Sequence, residues 1–365
     1  MIDAEALRTA IGRVEDPEIH RSLEELKMLR DIDVAQDGSV RVLVALTIPG
    51  CPLKDKLTQD VTAAAQTVEG VGAVTVDFTS MTDEERANLM TDVRGDSDAD
   101  IPVARAGSKT RIIAVSSGKG GVGKSSVTTN LAVALAAKGN TVGVMDADVW
   151  GFSIPRMLGI DRPPTVIDET LFPPEAHGVK AMSMDFFVPD DQAVIWRGPM
   201  LHKALEQFLS DVHWDDPDYL LIDMPPGTGD ISISISQFLP MAQALIVTTP
   251  QVTAQRVAKR AGLMALKVNQ DIIGVVENMS WFAGDDGKQY PIFGEGGGQA
   301  LAEELDVPLL GRIPLVSTVR ASADAGIPIA VSEPGSEAAI AFEAIADEII
   351  ERKPRLRSHP QLVIN

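Results

Sequence analysis

A glycine-rich segment, GKGGVGKS at 118–125, follows the apolar run RIIAVSS at 111–117 and precedes a stretch of helical character. The pattern G-x-x-x-x-G-K-[ST], placed between a strand and a helix, indicates a loop that holds nucleotide phosphates. Its glycines let backbone N–H groups turn toward phosphate oxygens, and the helix N-terminus adds its positive end. The segment therefore predicts a strand, a phosphate-binding loop and a helix from Lys124 to about Lys138.

The side chains of this loop suit a Mg²⁺–ATP ligand. Lys124 would neutralise the β- and γ-phosphates, and Ser125 would bind Mg²⁺. Lys119 is a second lysine inside the loop, and a single nucleotide site does not require it. The predicted nucleotide-binding residues of the loop are Gly118, Lys119, Gly120, Gly121, Val122, Gly123, Lys124, Ser125 and Ser126.

A second motif is the apolar run LLID at 220–223, which ends in a carboxylate. Such a strand-terminal Asp223 is the Walker B arrangement, which holds Mg²⁺ and its water. The loop that follows has a composition suited to sensing a γ-phosphate, as switch loops do, and a plain turn before a helix is the alternative. This predicted switch loop comprises Pro225, Pro226, Gly227, Thr228 and Gly229.

Two further carboxylates, Asp146 and Asp148, end the strand after the glycine-rich loop in the segment VMDADVWG. A carboxylate at this place can orient or deprotonate the attacking water, and another can support the shell of waters around the metal. Helix capping by one of the two is the alternative, since aspartate is a common N-cap. We expect Asp148 to orient the water and the catalytic set to include Lys124, Asp148 and Asp223.

The chain from 110 onward alternates short apolar runs with helical stretches. The runs are RIIAVSS, NTVGVMDAD, YLLIDMP, ALIVTTP, IIGVVEN and VPLLGRIP. Near-continuous apolar strands of this kind are typical of a parallel sheet covered by helices on both faces. The fold class predicted for 110–365 is a doubly wound, mostly parallel α/β sheet, with the ligand beyond the carboxyl ends of the strands.

The first part of the chain has a different rhythm. Two short helices are predicted within residues 3–30, then a strand pair around Gln36-Asp37-Gly38, a helix and a further strand. We expect a small α+β domain over 1–90. An acidic stretch with proline, glycine and serine predicts a linker over 91–109.

Charge and cysteine content limit the partners. The 52 acidic and 32 basic residues give a formal net charge of −20, and no basic run is dense enough for a nucleic-acid backbone. No apolar stretch reaches the roughly 20 residues of a membrane-spanning helix, and the start lacks the lysines of a signal peptide. We therefore expect a cytoplasmic protein that binds neither nucleic acid nor membrane. The single cysteine, Cys51, cannot make a metal site alone.

The combined motifs resemble one family closely. GKGGVGKSS, DADVWGFSIPRMLG, WRGPM, LLIDMPPGTGD, TTPQ, ENMSWF and IFGEGGG, between about 110 and 350, resemble the Mrp/ApbC group of MinD/ParA-type deviant Walker A ATPases. The first 80 residues resemble the small domain associated with metal–sulfur cluster assembly that is often fused ahead of it. Asp16-Pro17-Glu18 and the segment TIPGCP at 47–52 carry that second resemblance.

The resemblance implies a slowly hydrolysing homodimer that binds ATP and Mg²⁺ and carries iron–sulfur clusters to apoprotein clients or works with cluster assembly proteins. It implies that Lys119 reaches the partner subunit's phosphates and therefore belongs to the catalytic set with Lys124, Asp148 and Asp223. It also implies that Asn278 contacts adenine, because a carboxamide can both donate to and accept from the base. A buried asparagine that caps a strand end is the alternative for Asn278.

One segment departs from the family pattern. Members usually carry Cys-x-x-Cys between ENMS and IFGEGGG, whereas here the segment reads WFAGDDGKQYP, and Asp285 and Asp286 are hard oxygen ligands poorly suited to iron–sulfur clusters. One interpretation makes Cys51 a cluster ligand or reactive thiol, its pKa lowered at a helix N-terminus. In another, the protein is a nucleotide-switched ATPase that acts on partners without a cluster of its own. The alternative to a functional Cys51 is a cysteine buried as a small hydrophobe.

Overall fold

The computed structural model describes residues 2–48, 53–94, 101–105, 107–188, 198–227, 229–284 and 286–352. By its internal contacts the chain forms two compact units. The first unit comprises residues 1–98 and 165–172, and the second comprises 99–164 and 173–365. Within the described ranges, no helix has both the length and the apolar character needed to cross a bilayer.

The described elements alternate along most of the chain. The strands are β1 (Leu29–Val34), β2 (Val40–Leu46), β3 (Val74–Ser80), β4 (Arg111–Ser117), β5 (Val142–Asp146), β6 (Thr165–Ile167), β7 (Thr170–Phe172), β8 (Glu175–Ala176), β9 (Val179–Ser183), β10 (Tyr219–Asp223), β11 (Gln243–Thr248), β12 (Ile272–Glu277), β13 (Phe282–Ala283), β14 (Gln289–Tyr290) and β15 (Leu309–Arg312). The helices are α1 (Ala4–Gly12), α2 (Lys54–Gln66), α3 (Asp83–Arg94), α4 (Lys124–Ala137), α5 (Ile154–Met157), α6 (Gly198–Ser210), α7 (Asp230–Phe238), α8 (Val252–Lys267), α9 (Gly297–Leu305), α10 (Ser317–Asp324), α11 (Ile329–Ser332) and α12 (Glu337–Glu351), with single 3₁₀ turns at Pro102–Ala104 and Met184–Phe187.

The second unit is built on a sheet in the order β15-β12-β11-β4-β10-β5-β9-β8. All of its neighbouring strands run parallel except β8, which pairs antiparallel with β9. The central strands β5, β10 and β11 are buried along their whole length, which requires helices on both faces. The predicted doubly wound, mostly parallel α/β fold is confirmed, and β4, β10 and β5 bring three predicted loops to one edge.

The first unit is a small α+β fold. The hairpin of β1 and β2 turns at 35–39, and β3 adds parallel to β2. The apolar faces of α1 and α2 pack on this sheet, where they bury Leu7, Ile11, Leu57 and Val61. The strand pair, the helix and the last strand predicted from the sequence are confirmed.

Two short helices are predicted within residues 3–30, and the prediction of the second helix is wrong. Residues 13–28 form turns and a bridge between Glu15 and Ser22. The carboxylate of Asp16 accepts hydrogen bonds from the backbone N–H groups of Glu18 and Ile19 at 3.0 and 2.9 Å. This local bonding competes with helix formation, although the apolar side chains of the segment are still buried.

A hairpin formed by β6 and β7 belongs to the first unit, although sequence analysis leaves it inside the 110–365 domain. Its Ile167 and Phe172 are 1% and 2% exposed and join the core of the first unit. The Thr165 hydroxyl donates to Glu18 at 2.5 Å, and Arg86 donates to Asp168 at 3.0 Å. Residues 165–172, which the sequence predicts to belong to the 110–365 domain, therefore supply part of the hydrophobic core of the first unit.

Helix α3 extends the first unit beyond the predicted start of the linker at residue 91. Its Leu89, Met90 and Val93 lie at helical spacing and are buried in the same core. The acidic composition of this stretch made it resemble a linker, but burial of three apolar side chains on one face stabilises the helix to Arg94.

Candidate functional site

The glycine-rich loop connects the carboxyl end of β4 to the first turn of α4, as the sequence predicts. Gly121 and Gly123 have φ values of +80° and +79°, a left-handed conformation that glycine adopts without steric cost. At Gly118 a Cβ atom would lie 2.2 Å from the backbone nitrogen of Ala258 in α8. The loop therefore requires glycine for its turn at two positions and for close helix packing at a third.

Asp223 at the end of β10 is the centre of a buried hydrogen-bond network. Its Oδ2 accepts from the Lys124 ammonium at 2.5 Å and from the Ser125 hydroxyl at 2.6 Å. Its Oδ1 accepts from the Thr128 hydroxyl at 2.6 Å. The structure thus brings together the predicted phosphate-binding lysine, the predicted Mg²⁺-binding serine and the predicted Walker B carboxylate.

The two aspartates after β5 have different surroundings. Asp146 is 1% exposed, and its Oδ2 accepts from the backbone of Ser153 at 3.0 Å and of Ile154 at 3.3 Å. Burial, reinforced by the charge of Asp223, raises the pKa of Asp146 to about 7. Asp146 therefore binds backbone N–H groups at the start of α5, although the N-cap residue of that helix is Ser153.

Asp148 lies closer to the phosphate-binding lysine. Its Oδ2 is 3.9 Å from the Lys124 ammonium. Burial raises the pKa of Asp148, and the positive charge of Lys124 opposes that rise. Of the two carboxylates, Asp148 is the one within ion-pair distance of the loop lysine.

The described hydrogen bond of the Lys119 side chain is to a residue of the same chain. Its ammonium donates to the side-chain oxygen of Gln251 at 3.2 Å, and its backbone oxygen accepts from the Ser117 hydroxyl at 3.1 Å. The side chain is partly exposed. The contact of Lys119 with a partner subunit stays a prediction.

Asn278 lies against the glycine-rich loop. Its side-chain amide donates to the Val122 carbonyl at 2.9 Å, and its backbone N–H donates to Thr248 at 2.8 Å. A Cβ on Gly123 would come 2.2 Å from the same amide nitrogen. Asn278 thus supports the loop, and its contact with adenine stays a prediction.

The predicted switch loop is bonded to the end of β4. Gly227 has φ +94°, and its N–H donates to the Ser117 carbonyl at 2.9 Å. Pro225 and Gly227 are half-buried, whereas Pro226 and Gly229 are exposed. Thr228 lies outside the described residues, as do Cys51 and Asp285.

Two polar residues that hydrogen-bond to predicted site residues are not among the residues predicted from the sequence. Thr128 follows Lys124 by four residues, one helical turn on the same face, and that spacing could have identified it. Gln251 ends the segment TTPQ, which the sequence places at a strand end without a role. Among the residues that the structure describes, no three His, Cys, Asp or Glu side chains are grouped to hold a metal ion.

The parallel sheet, the glycine-rich loop and the strand-terminal Asp223 define this chain as a P-loop nucleoside triphosphatase. The family model for the NUBPL iron-transfer P-loop NTPase matches residues 108–350. A second model, for an iron–sulfur cluster assembly protein, matches residues 4–77. The chain belongs to the NUBPL iron-transfer P-loop NTPase family, in agreement with the resemblance of its motifs.

Named relatives agree with this assignment. An iron–sulfur cluster carrier protein from Mycobacterium tuberculosis is 50% identical over 355 residues, which cover 95% of this chain and 93% of the relative. A nucleotide-binding protein from Archaeoglobus fulgidus, solved in complex with ADP, gives a TM-score of 0.53 at 38% identity, over 60% of this chain and 87% of its own. The cell division ATPase MinD of Pyrococcus furiosus gives 0.51 at 27% identity, over 66% and 98%. Membership of a P-loop NTPase family with such neighbours supports nucleotide hydrolysis in general.

Proposed function

We propose that this protein is a slowly hydrolysing ATPase that binds iron–sulfur clusters and transfers them to apoproteins, and that it works as a homodimer in the cytoplasm. The observation that carries the proposal is the 50% identity to an iron–sulfur cluster carrier protein across 95% of the chain. That match includes both the small first unit and the P-loop unit. Neither nucleic acid nor membrane is part of the proposal.

The nucleotide would bind where the loop and Asp223 meet. Backbone N–H groups of 118–126 and the ammonium of Lys124 would hold the phosphates. The Ser125 hydroxyl and Asp223 Oδ2, 2.6 Å apart, are oxygen donors of the kind that Mg²⁺ prefers. When bound, Mg²⁺ would neutralise charge that develops on the phosphates.

In the proposed reaction the Lys124 ammonium turns from Asp223 toward the phosphates, while Ser125 and Asp223 stay together at the metal. Asp148, 3.9 Å from the Lys124 ammonium, would then orient the attacking water and accept its proton. The loop 225–229, bonded to β4 through Gly227, would respond to the γ-phosphate. Asn278 would either give up its hydrogen bond to the Val122 carbonyl and contact the edge of adenine, or use its two amide hydrogens to bind Val122 and adenine together.

The cluster is the cargo of the proposed reaction, and Cys51 is the thiol that this chain offers to it. Because each chain has one cysteine, cluster binding through Cys51 would need two small units to meet or a client thiol to share the cluster. The absence of cysteine from the sequence between Asn278 and Gly294 favours a second candidate. In that candidate the ATPase switches partner binding without a cluster of its own.

Anaerobic reconstitution of the full chain with iron and sulfide tests the proposal and separates it from the second candidate. We expect a visible charge-transfer absorbance, matched by iron and sulfide analysis, and transfer of the cluster to an apoferredoxin. The Cys51→Ser variant should lose this absorbance and keep ATP hydrolysis. A stable cluster in Cys51→Ser would eliminate the thiol role, and no cluster in either protein would favour the nucleotide switch.

A further inference from the structure

Asp146 is a buried carboxylate to which the proposed function assigns no role. It ends β5, in register with Asp223 at the end of β10 and with Ser183 at the end of β9. Its side chain is 1% exposed. A buried carboxylate is stable only when hydrogen-bond donors compensate for its lost hydration, so the groups that donate to Asp146 indicate what this residue holds in place.

The described donors to the Asp146 side chain come from three segments of the second unit. Its Oδ1 accepts from the backbone N–H of Asp148 at 3.1 Å. Its Oδ2 accepts from the backbone N–H groups of Ser153 and Ile154, at 3.0 and 3.3 Å, and from the Ser183 hydroxyl at 3.3 Å. One carboxylate therefore joins the loop that carries Asp148, the first turn of α5 and the end of β9.

The bond to Asp148 fixes the backbone from which the proposed water-orienting side chain extends. The carbonyl of Asp148 also accepts from the N–H of Gly151 at 3.1 Å, which closes a tight turn. A group that orients a reacting water must be placed closely, since a misplacement of about 1 Å can cost roughly a hundredfold in rate. Asp146 is thus bonded where it can affect the chemical step through Asp148.

The other two segments lead to the hairpin of β6 and β7. The chain runs from α5 through residues 158–164 into the hairpin, and it returns through residues 173–178 to β9. We call these two connections the legs of the hairpin. Pro163-Pro164 ends the first leg and Pro173-Pro174 begins the second. Because proline fixes φ, each pair makes its leg stiff next to the hairpin.

Both legs are also packed or bonded within the second unit. Leu158, at the start of the first leg, is 0% exposed and belongs to the core of that unit. In the second leg, the Pro174 carbonyl accepts from the N–H of Ala181 in β9 at 2.9 Å. Pro164, Pro173 and Pro174 are buried. With so little slack, a hairpin that leaves the core of the first unit would pull on α5 and β9, whose ends are bonded to Asp146.

We propose that Asp146 is a positioning residue for ATP hydrolysis, which places Asp148 and ties that placement to both legs of the hairpin. Packing of the hairpin in the first unit then regulates the rate of hydrolysis in the second. This inference rests on the proposed function, because it needs ATP hydrolysis with Asp148 as the residue that orients the water. It adds a route by which the small unit controls the ATPase.

Steady-state hydrolysis by full-chain variants tests the positioning role, with each rate divided by the number of ATP-binding sites so that unfolded protein does not count. Asp146→Asn keeps the shape and replaces an accepting oxygen with a donor. We expect its kcat to fall about tenfold or more, with the Kd of ATP within about threefold of the parent. Ser183→Ala removes one donor and should lower kcat by about threefold or more. Ser322→Ala, a buried serine bonded to Ser332, is the matched control and should keep the parent rate.

Combination with Asp148→Ala separates positioning from a structural role. If Asp146 acts through Asp148, Asp146→Asn has no further effect on the residual hydrolysis of Asp148→Ala, measured with radiolabelled ATP. A structural role lowers the rate by the same factor in both backgrounds. That equal factor, or an unchanged kcat in Asp146→Asn, overturns the positioning role while the proposed function stands. Parent-like hydrolysis by Asp148→Ala, or no hydrolysis by the parent, overturns both.

Ile167→Asp and Val166→Asp in the uncut chain test the regulation by the hairpin. Ile167 is 1% exposed in the core of the first unit, whereas Val166 is 56% exposed. We expect Ile167→Asp to lower kcat by about threefold or more in the parent and to have no effect in Asp146→Asn, because the connection is already broken there. Val166→Asp should keep the rate of either background. A parent-like kcat in Ile167→Asp, or the same loss in both backgrounds, overturns the regulation.

Discussion

Asp223 is held by three donors from one face of α4: Lys124, Ser125 and Thr128. A carboxylate with no exposed surface is stable only when such donors compensate for its lost hydration. Two of these donors are also the groups that would bind the nucleotide and its metal. Nucleotide binding must therefore exchange one set of buried charge interactions for another, while Thr128 keeps Asp223 in place.

Thr128→Val tests this support. The change keeps the shape of the side chain and removes the donor to Asp223 Oδ1, so we expect the free energy of unfolding to fall by about 1–3 kcal/mol. Thr129→Val is the control, because the described bond of the Thr129 hydroxyl goes to the Met157 sulfur, at 3.8 Å, and not to Asp223. Chemical denaturation measures both variants. Equal losses in the two would show that Asp223 does not depend on Thr128.

Lys119→Ala tests the role of the extra loop lysine. We expect ATP binding to persist largely, and hydrolysis and nucleotide-dependent dimerisation to be lost, because Lys119 would act on the partner subunit's phosphates. Gln251→Ala removes the contact at 3.2 Å within the chain and keeps the lysine. That variant should still dimerise and hydrolyse ATP. Calorimetry, turnover assays and sedimentation measure these effects, and unchanged turnover in Lys119→Ala would contradict the role.

The raised pKa of Asp146 predicts a pH dependence of stability. Between about 3.8 and about 7 the folded protein binds a proton at Asp146 that the unfolded chain does not. Protonation of Asp146 therefore contributes fully to the stability of the folded state below a pH of about 3.8. As the pH rises, this contribution falls by up to roughly 1.4 kcal/mol per pH unit, and it is lost above a pH of about 7. Asp146→Asn should therefore gain stability relative to the parent as the pH rises from 5 to about 7.5. Guanidinium denaturation without nucleotide, in EDTA, measures this gain, and parallel pH curves would refute it.

At the scale of elements, the packing of the glycine-rich loop on α8 is as restrictive as its phosphate chemistry. A Cβ at position 118 would meet backbone atoms of Val257 and Ala258, which cannot turn aside as a side chain can. At Gly120 the corresponding space is open. Gly118 is thus required by the packing of the loop on α8, whereas Gly120 is required by the ligand at most.

Gly118→Ala and Gly120→Ala separate these two requirements. We expect Gly118→Ala to destabilise the protein by about 1–3 kcal/mol or more, since α8 must move away from β4. Gly120→Ala should stay within roughly 0.5 kcal/mol of the parent. Thermal and chemical denaturation without nucleotide compare the two. Similar stability of both variants would show that the loop can shift without disturbing α8.

The periodic elements were predictable because their apolar patterns are continuous. The buried strands β4, β5, β10, β11 and β12 and the helix α4 were all expected near their observed bounds. Strand β9 was missed, because Lys180 interrupts it and no β-branched residue follows Val179. The helical spacing of apolar residues within 13–28 predicts a helix, but the local hydrogen bonds of Asp16 stabilise turns there instead.

The residues of the candidate site and their chemical roles could be predicted from the sequence, whereas some of the hydrogen bonds that hold them could not. Spacing and strand ends identified Lys124, Ser125, Asp148 and Asp223 as neighbours, because parallel strands deliver their carboxyl ends to one edge. No local pattern indicates that Asn278 bonds to Val122 or that Lys119 bonds to Gln251. Such contacts join positions far apart in sequence.

At the scale of the whole molecule, the chain passes between its two units three times, after residues 98, 164 and 172. The last two passages flank the hairpin of β6 and β7, whose Ile167 and Phe172 are buried in the first unit. The first unit therefore includes this hairpin, which is joined at both of its ends to residues of the second unit.

Cleavage between Asp98 and Ala99 tests this arrangement. With a protease site inserted there, we expect fragments 1–98 and 99–365 to remain together in gel filtration after cutting. Ile167→Asp should release them, because it places a charge at a position that is 1% exposed. Val166→Asp, at the neighbouring position that is 56% exposed, is the control and should keep them together. Separation of the parent fragments would contradict a structural role for the hairpin.

The hairpin also affects how this protein can be dissected. A recombinant fragment that begins at residue 110 would keep β6 and β7 but lose the core into which they fold. Ile167 and Phe172 would then be left in water, each forfeiting roughly 1.5–3 kcal/mol of burial, on a short unpaired strand edge that invites aggregation. Poor solubility of such a fragment would result from the choice of its first residue and would not be a property of the P-loop unit itself. A sound P-loop fragment must replace residues 165–172 with a short polar turn.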